Sequence, residues 1–278
     1  MASGVIAVIG AGTMGRGIAR AALRQGFAVR LFDADGQAAQ RVAQRAAEIE
    51  GASLTVADSV AAAVTGADAV IEAVVESEPV KAEVLGEMAR AAGPDTLLAT
   101  NTSTFSIARL AAGAGLAGRL VGMHFFNPPE KMRLVEVVAA GDVPTDLIQR
   151  ATGLAEALGK TSVVVKDSPG FITSRLGLLL GNEAMRLAES GVAPPEAIDV
   201  AMRLGYNHPM GPLELADLVG LDARLNNLNA IYPALDDDRY RPPQILIDLV
   251  EAGHLGRKSG RGFYEYDTEG HKLQAPPV

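Results

Sequence analysis

Val5-Ile6-Ala7-Val8-Ile9-Gly10-Ala11-Gly12-Thr13-Met14-Gly15 is the stretch on which the fold turns. Its first five residues are apolar without alternation, as a strand covered on both faces requires. Glycines 10, 12 and 15 follow at once, and the run to Arg24 has the Ala, Leu and Arg texture of a helix. A G-x-G-x-x-G run is specific only between a strand and a helix, and that is its setting here. Gly10 is expected to make the tight turn, Gly12 to let the backbone approach a pyrophosphate, and Gly15 to let helix pack on strand. Thr13 and Met14 open the helix, whose N-terminus offers N–H donors and about half a positive charge. These five residues are candidate cofactor contacts.

Outward from that stretch, apolar runs recur at Ala28–Phe32, Ala69–Val74, Thr96–Ala99 and Leu120–Met123. Helical stretches at Gly15–Arg24, Gly36–Glu50 and Val80–Ala92 separate them. Two more strands are expected near Leu134–Val138 and Ser162–Val165. Such alternation predicts an α/β fold with a doubly wound, mostly parallel Rossmann sheet. At Ser168-Pro169-Gly170 the texture breaks, and helices punctuated by Pro194-Pro195, Pro209–Pro212 and Pro242-Pro243 follow, with no strand before Phe263-Tyr264. The expected organisation is an N-terminal NAD-binding domain, residues 1–167, and a C-terminal all-α domain, residues 168–278.

Composition narrows the function. Of the 278 residues 48% are hydrophobic and 21% charged, enough for packed cores. A net charge of −8 argues against nucleic acid or an anionic membrane as partner. The absence of cysteine removes thiol nucleophiles and Cys-based zinc sites, and the 4 histidines are not at ligand spacing, so no metal is expected. No run nears the roughly 18 apolar residues of a membrane span, and the opening residues lack the features of a signal peptide. The expected compartment is the cytoplasm.

Asp33 ends the second strand about 20 residues beyond the glycines, where a carboxylate accepts hydrogen bonds from the adenosine ribose. It would repel a 2′-phosphate, and Ala34-Asp35-Gly36 supplies no cation, so NAD is expected over NADP. Ligands in such sheets gather beyond the carboxyl ends of the strands. Three polar groups share that position: Glu76, the cluster Asn101-Thr102-Ser103, and His124 with Asn127. Glu136 lies within the apolar run Leu134–Val138, where an unpaired carboxylate is expensive. The turn at Pro128-Pro129 would bring it back to His124, fixing the imidazole tautomer; an edge-strand glutamate facing water is the alternative.

Together these motifs, with Ile71–Glu76, Asp167–Phe171, Pro209–Pro212 and Gly260–Tyr264, resemble those of the L-3-hydroxyacyl-CoA dehydrogenase family, bacterial 3-hydroxybutyryl-CoA dehydrogenases in particular, along almost the whole chain. The resemblance implies that His124 is the general base for a substrate 3-hydroxyl and Glu136 its partner. It implies that Ser103 hydrogen-bonds the substrate oxygen and the nicotinamide region, that Asn127 belongs to the same site, and that Glu76, Lys81, Asn127 and Lys258 contact NAD. Asn101 joins them through its motif. An acyl-CoA substrate, a substrate-binding second domain and a homodimer are further implications.

Two departures stand out. Ser174 occupies a position where many members of the family carry a substrate-contacting Asn. The segment from Asp33 to Glu76 leaves room for one full helix and little else, where the family has a long helical excursion against CoA. Arg41 and Arg45, four residues apart on one helix face, could take over part of that task. A hydroxy acid or sugar acid lacking CoA, and a non-catalytic NAD-binding protein, remain the alternatives.

Overall fold

A computed structural model describes residues 4–273; the termini of the two expected domains extend beyond them. The chain divides into two compact units, Met1–Phe171 and Ile172–Val278.

In the first unit, eight strands form one sheet: β1 (Val5–Ile9), β2 (Ala28–Phe32), β3 (Ser53–Val56), β4 (Ala69–Glu72), β5 (Leu97–Thr100), β6 (Leu120–Phe125), β7 (Leu134–Ala139) and β8 (Thr161–Lys166). Their order is β3-β2-β1-β4-β5-β6-β7-β8, and every pairing is parallel except that of β6 with β7. Helices α1 (Thr13–Arg24), α2 (Gly36–Ala46) and α6 (Thr145–Ala157) cover one face; α3 (Val60–Val64), α4 (Glu78–Ala91) and α5 (Ile107–Ala114) cover the other. Along β1, Ile6 and Val8 pack into the first layer and Ala7 and Ile9 into the second, which is why the strand reads as apolar throughout. Each fully buried Ile or Val contributes about 1.5–3 kcal/mol. The order reverses between β1 and β4, the kind of crevice where ligands bind in doubly wound sheets.

The sheet differs from expectation in its details. Between β2 and β4 lie α2, the edge strand β3 and the short α3, so this segment holds more than one helix. β3 is only Ser-Leu-Thr-Val, with Ser53 and Thr55 exposed, too short and too polar to stand out as a buried strand. β4 ends at Glu72, which leaves Glu76 in the loop before α4, and β6 continues through Phe125, so His124 is a strand residue.

The second unit is helical: α7 (Thr173–Glu189), α8 (Pro195–Gly205), α9 (Pro212–Val219), α10 (Leu221–Leu235) and α11 (Gln244–Glu251). Pro195 and Pro212 occupy first helical positions, where the missing N–H is no loss. Leu178, Met185, Leu213, Leu228, Ile231 and Leu246 form the core. Asp199 accepts the Leu213 and Glu214 amides at 2.9 and 2.8 Å, satisfying the start of α9. Asp217 accepts the Phe263 and Tyr264 amides at 3.0 Å each and the Tyr266 hydroxyl at 3.0 Å, tying the C-terminal segment to α9. Burial pushes the Asp217 carboxyl up in spite of these bonds. The expected strand at Phe263-Tyr264 is replaced by isolated bridges, Gly256–Arg261 and Arg261–Glu265. Arg224 of α10 is buried and donates to the Gly177 and Leu178 carbonyls of α7 at 2.9 and 2.8 Å; a side chain at Gly181 would overlap its guanidinium.

Gly181→Ala should therefore lower the unfolding free energy by about 1–3 kcal/mol in urea titrations. Adding Arg224→Met should recover most of that loss. An undiminished loss in the double variant would show that the overlap is not its origin.

Candidate active site

A cleft of about 270 Å³ opens at the carboxyl ends of β1, β2 and β4, lined by Gly10, Gly12, Asp33, Val74 and Val84 among others. Gly10 has φ +108, and a Cβ there would lie 2.5 Å from the Ala73 carbonyl oxygen, so only glycine fits. A Cβ on Gly15 would overlap the Gly10 carbonyl, whereas one on Gly12 meets no protein atom. Gly12 is also the N-cap of α1 and makes no side-chain cap bond, so the first N–H groups of the helix are available to an anion. Thr13 and Met14 form its first turn. Asp33 does three things: Oδ2 accepts the Ala11 amide at 2.6 Å, Oδ1 accepts the Asp35 amide at 2.7 Å, and the side chain still lines the cleft. A helix N-terminus beside a carboxylate, with no cation in the cleft lining among the described residues, fits NAD better than NADP.

At the ends of β4 and β5, Glu76 Oε1 accepts from Thr102 Oγ1 (2.6 Å), the Ser103 amide (3.0 Å), Thr104 Oγ1 (3.2 Å) and, more weakly, Ser103 Oγ (3.4 Å). Lys81, expected to contact NAD, is turned inward: it has no exposed surface and pairs with Glu72 at 2.8 Å and Glu76 at 3.2 Å. Two carboxylates draw its ammonium under the loop, where it links the end of β4 to Glu76. Burial pushes the Glu76 carboxyl up, but the Lys81 ammonium, the Thr102 hydroxyl and the Ser103 amide more than offset it and hold it below its ordinary value. Asn101 Oδ1 accepts the Phe125 amide at 2.8 Å, pinning β5 to β6.

His124 and Glu136 stand directly opposite each other across the antiparallel β6–β7 pair. Nδ1 of His124 is 2.7 Å from Glu136 Oε2, and Glu136 has no exposed surface. A carboxylate facing Nδ1 keeps the proton there and leaves Nε2 as the basic nitrogen. The edge-strand reading of Glu136 is thereby excluded. The imidazole lies against the Phe126 ring at 4.6 Å and the Phe171 ring at 5.7 Å. Phe171 adopts φ +49 next to Gly170. Beyond β6 the chain passes through a cis Asn127–Pro128 bond, and Lys160 Nζ donates to the Pro129 and Met132 carbonyls at 2.6 and 2.8 Å, fixing the turn.

Asn127 is exposed beside this turn. Ser174, second residue of α7, and Lys258, bound to Asp222 Oδ2 at 2.6 Å, belong to the helical unit. Arg41 is engaged by Asp35 at 3.2 Å on an exposed surface. No cluster suited to a metal ion exists among the described residues. The sequence reading gave no role to Glu72, Thr104, Lys160 and Phe171, although Glu72 and Phe171 lie within the motifs Ile71–Glu76 and Asp167–Phe171; each contacts neighbours that shape the site. An apolar run ending in a glutamate followed by a buried-helix lysine was the one available signal for the first.

The two inner glycines separate fold from binding. Gly15→Ala should destabilise the nucleotide unit by about 2 kcal/mol or more, because backbone must move. Gly12→Ala should unfold within about 0.5 kcal/mol of the parent yet bind NADH roughly tenfold more weakly by fluorescence titration. Unchanged NADH affinity in Gly12→Ala would place the dinucleotide elsewhere.

The profile described as the 3-hydroxyacyl-CoA dehydrogenase NAD binding domain matches residues 5–168, and that of the 3-hydroxyacyl-CoA dehydrogenase C-terminal domain matches residues 170–266. A probable 3-hydroxybutyryl-CoA dehydrogenase of Bacillus subtilis is 42% identical over 280 residues, covering 95% of this chain and 98% of that protein. Among solved structures, the (S)-3-hydroxybutyryl-CoA dehydrogenase PaaH1 of Ralstonia eutropha superposes with TM-score 0.88 at 36% identity, covering 95% of this chain and 99% of that one. FadB2 of M. tuberculosis gives TM-score 0.87 at 37% identity, with 94% and 98% covered. The chain belongs to the 3-hydroxyacyl-CoA dehydrogenase family and is an NAD-dependent oxidoreductase of that class.

Proposed function

We propose that the protein interconverts a short-chain (S)-3-hydroxyacyl-CoA and the corresponding 3-oxoacyl-CoA, with His124 as the acid–base group. The observation that carries this reading is the buried His124–Glu136 pair at the strand ends, in the same unit as the dinucleotide cleft. Relatives named 3-hydroxybutyryl-CoA dehydrogenases support a short acyl chain.

Oxidising a secondary alcohol requires removal of a hydroxyl proton and of a hydride from the same carbon. Bound NAD supplies the hydride acceptor, and NADH the donor for the reverse direction. His124 Nε2 takes the hydroxyl proton, and the Glu136 carboxylate at Nδ1 stabilises the imidazolium that results. In reduction the same nitrogen returns the proton to the developing alkoxide. Ser103, held by Glu76, orients the substrate oxygen, and Asn127 and Ser174 take the substrate-side roles that the family resemblance gives them. Phe126 and Phe171 keep bulk water from the imidazole. Asp33 would bind the adenosine ribose and the start of α1 the pyrophosphate; for Lys258 of the helical unit, the NAD contact rests on the family resemblance alone.

The helical unit binds the acyl-CoA and forms a homodimer in this reading. It leaves large apolar side chains in water, among them Leu204 (82% exposed), Tyr206 (75%) and Leu176 (61%). Such groups favour burial against a second copy. The enzyme works in the cytoplasm, alongside the cellular NAD pool.

NADH consumption with acetoacetyl-CoA, run beside free acetoacetate and beside NADPH, tests the assignment. Turnover of the thioester with NADH, lowered by about 10²–10⁴ in His124→Ala, is expected. Turnover of free acetoacetate alone would move the substrate to an acid lacking CoA; NADH binding without turnover of either would leave a non-catalytic protein. Sedimentation equilibrium should return a dimer mass, and a monomer would remove the second copy from the reading.

A further inference from the structure

Two ionised side chains of the nucleotide unit have no exposed surface and no part in the chemistry above: Glu72 at the end of β4 and Lys81 in α4. Lys81 Nζ lies 2.8 Å from Glu72 Oε1. The Val74 amide donates to the same oxygen at 2.7 Å, and Thr100 Oγ1 donates to Oε2 at 2.6 Å. Desolvating such a pair costs more than its mutual attraction returns unless its remaining bonding capacity is filled. An apolar pair would hold β4 to α4 equally well. What the ions add is the second contact of Lys81, 3.2 Å from Glu76 Oε2 at the rim of the unit. The other oxygen of Glu76 is the acceptor for donors from Thr102, Ser103 and Thr104. A rigid buried ion pair is thus joined through one carboxylate to three consecutive residues of a loop.

We propose that Glu72 and Lys81 are positioning residues: the buried pair anchors Glu76 beneath the loop Asn101–Thr104 and through it sets where Ser103 presents its hydroxyl. The catalytic consequence rests on the role given to Ser103 above.

The groups facing Glu76 fix the sign of its pH dependence. Lys81 approaches from α4 with Glu72 behind it on β4, and hydroxyls and an amide approach from the loop; further along, Glu78 of α4 is paired with Arg109 of α5. Burial alone would raise the carboxyl, and Lys81 heads the groups that lower it. The loop bonds are therefore present above the ordinary carboxylate range and are lost as pH falls through the depressed value. Removing the ammonium moves that loss upward.

The test uses Glu72→Met/Lys81→Met, which keeps volume and removes both charges. The Ser103 backbone amide shift and kcat with acetoacetyl-CoA are followed from about pH 8 to about pH 5. The parent amide should stay flat over this range. In the variant it should titrate above the ordinary carboxylate range, and kcat should fall roughly tenfold more than in the parent by about pH 6. Superimposable amide and rate profiles would overturn the proposal, and a titrating amide with an unchanged rate profile would overturn its link to Ser103. Should that variant fail to fold, Glu72→Gln/Lys81→Gln, which keeps the volume and the hydrogen-bonding groups while removing both charges, is read against the same outcomes. If the parent does not turn over acetoacetyl-CoA, the substrate reading fails while the amide titration still decides the relay.

Discussion

The candidate active site depends first on the buried Glu136 carboxylate. Glu136 is wholly enclosed in an apolar strand, where an uncompensated carboxylate would cost several kcal/mol. His124 compensates it across 2.7 Å, and it can do so only because β7 runs against β6. A parallel neighbour would need a crossover helix and would not return the chain to face the same strand end. Among the described residues, the one antiparallel junction in the sheet and the one histidine–carboxylate pair in its interior are in this sense the same feature. Lys160, holding the turn carbonyls, keeps β6 and β7 in the register the pair requires, and Asn101, holding the Phe125 amide, fixes β6 against the end of β5.

The other strand ends are arranged around that pair by similar means. Asp33 holds the glycine loop by the Ala11 amide while presenting its carboxylate to the cleft, so the loop and the ribose-binding group are placed by one side chain. Glu76 gathers the loop after β5, and the Glu72–Lys81 pair behind it ties that carboxylate to the body of the unit. Hydride transfer tolerates little misplacement of donor and acceptor. The site meets that demand with short polar anchors at the ends of stiff strands, whose apolar faces are packed on both sides.

Much of this was legible in residue order. The glycine fingerprint was read correctly because strand, turn and helix agree at one place, and the His124–Glu136 meeting followed from the expense of a carboxylate in Leu134–Val138. Less legible were features without periodicity. The edge strand Ser53–Val56 has half its side chains in water, α5 is only 8 residues long, and α6 buries only Leu147, Ala151 and Ala155. The apolar run that marks β4 outlasts its hydrogen-bonded ladder, which ends at Glu72, whereas the ladder of β6 outlasts its apolar run and continues through His124 to Phe125 because β7 pairs with it. For Lys81 the family resemblance implies a contact with NAD; that its ammonium also lies buried between Glu72 and Glu76 depends on how β4, the loop after it and α4 fold together, which helical periodicity does not carry.

The exchange of Glu136 for Gln addresses the dependence on that charge most directly. The amide preserves volume but removes the negative charge and can donate to Nδ1, which would put the imidazole proton on the wrong nitrogen. A fall in kcat of about 10²–10⁴ with acetoacetyl-CoA, at unchanged NADH affinity, is the predicted result. Retention of kcat within about threefold by a folded Glu136→Gln protein would contradict the assignment of His124 and Glu136 as one catalytic unit.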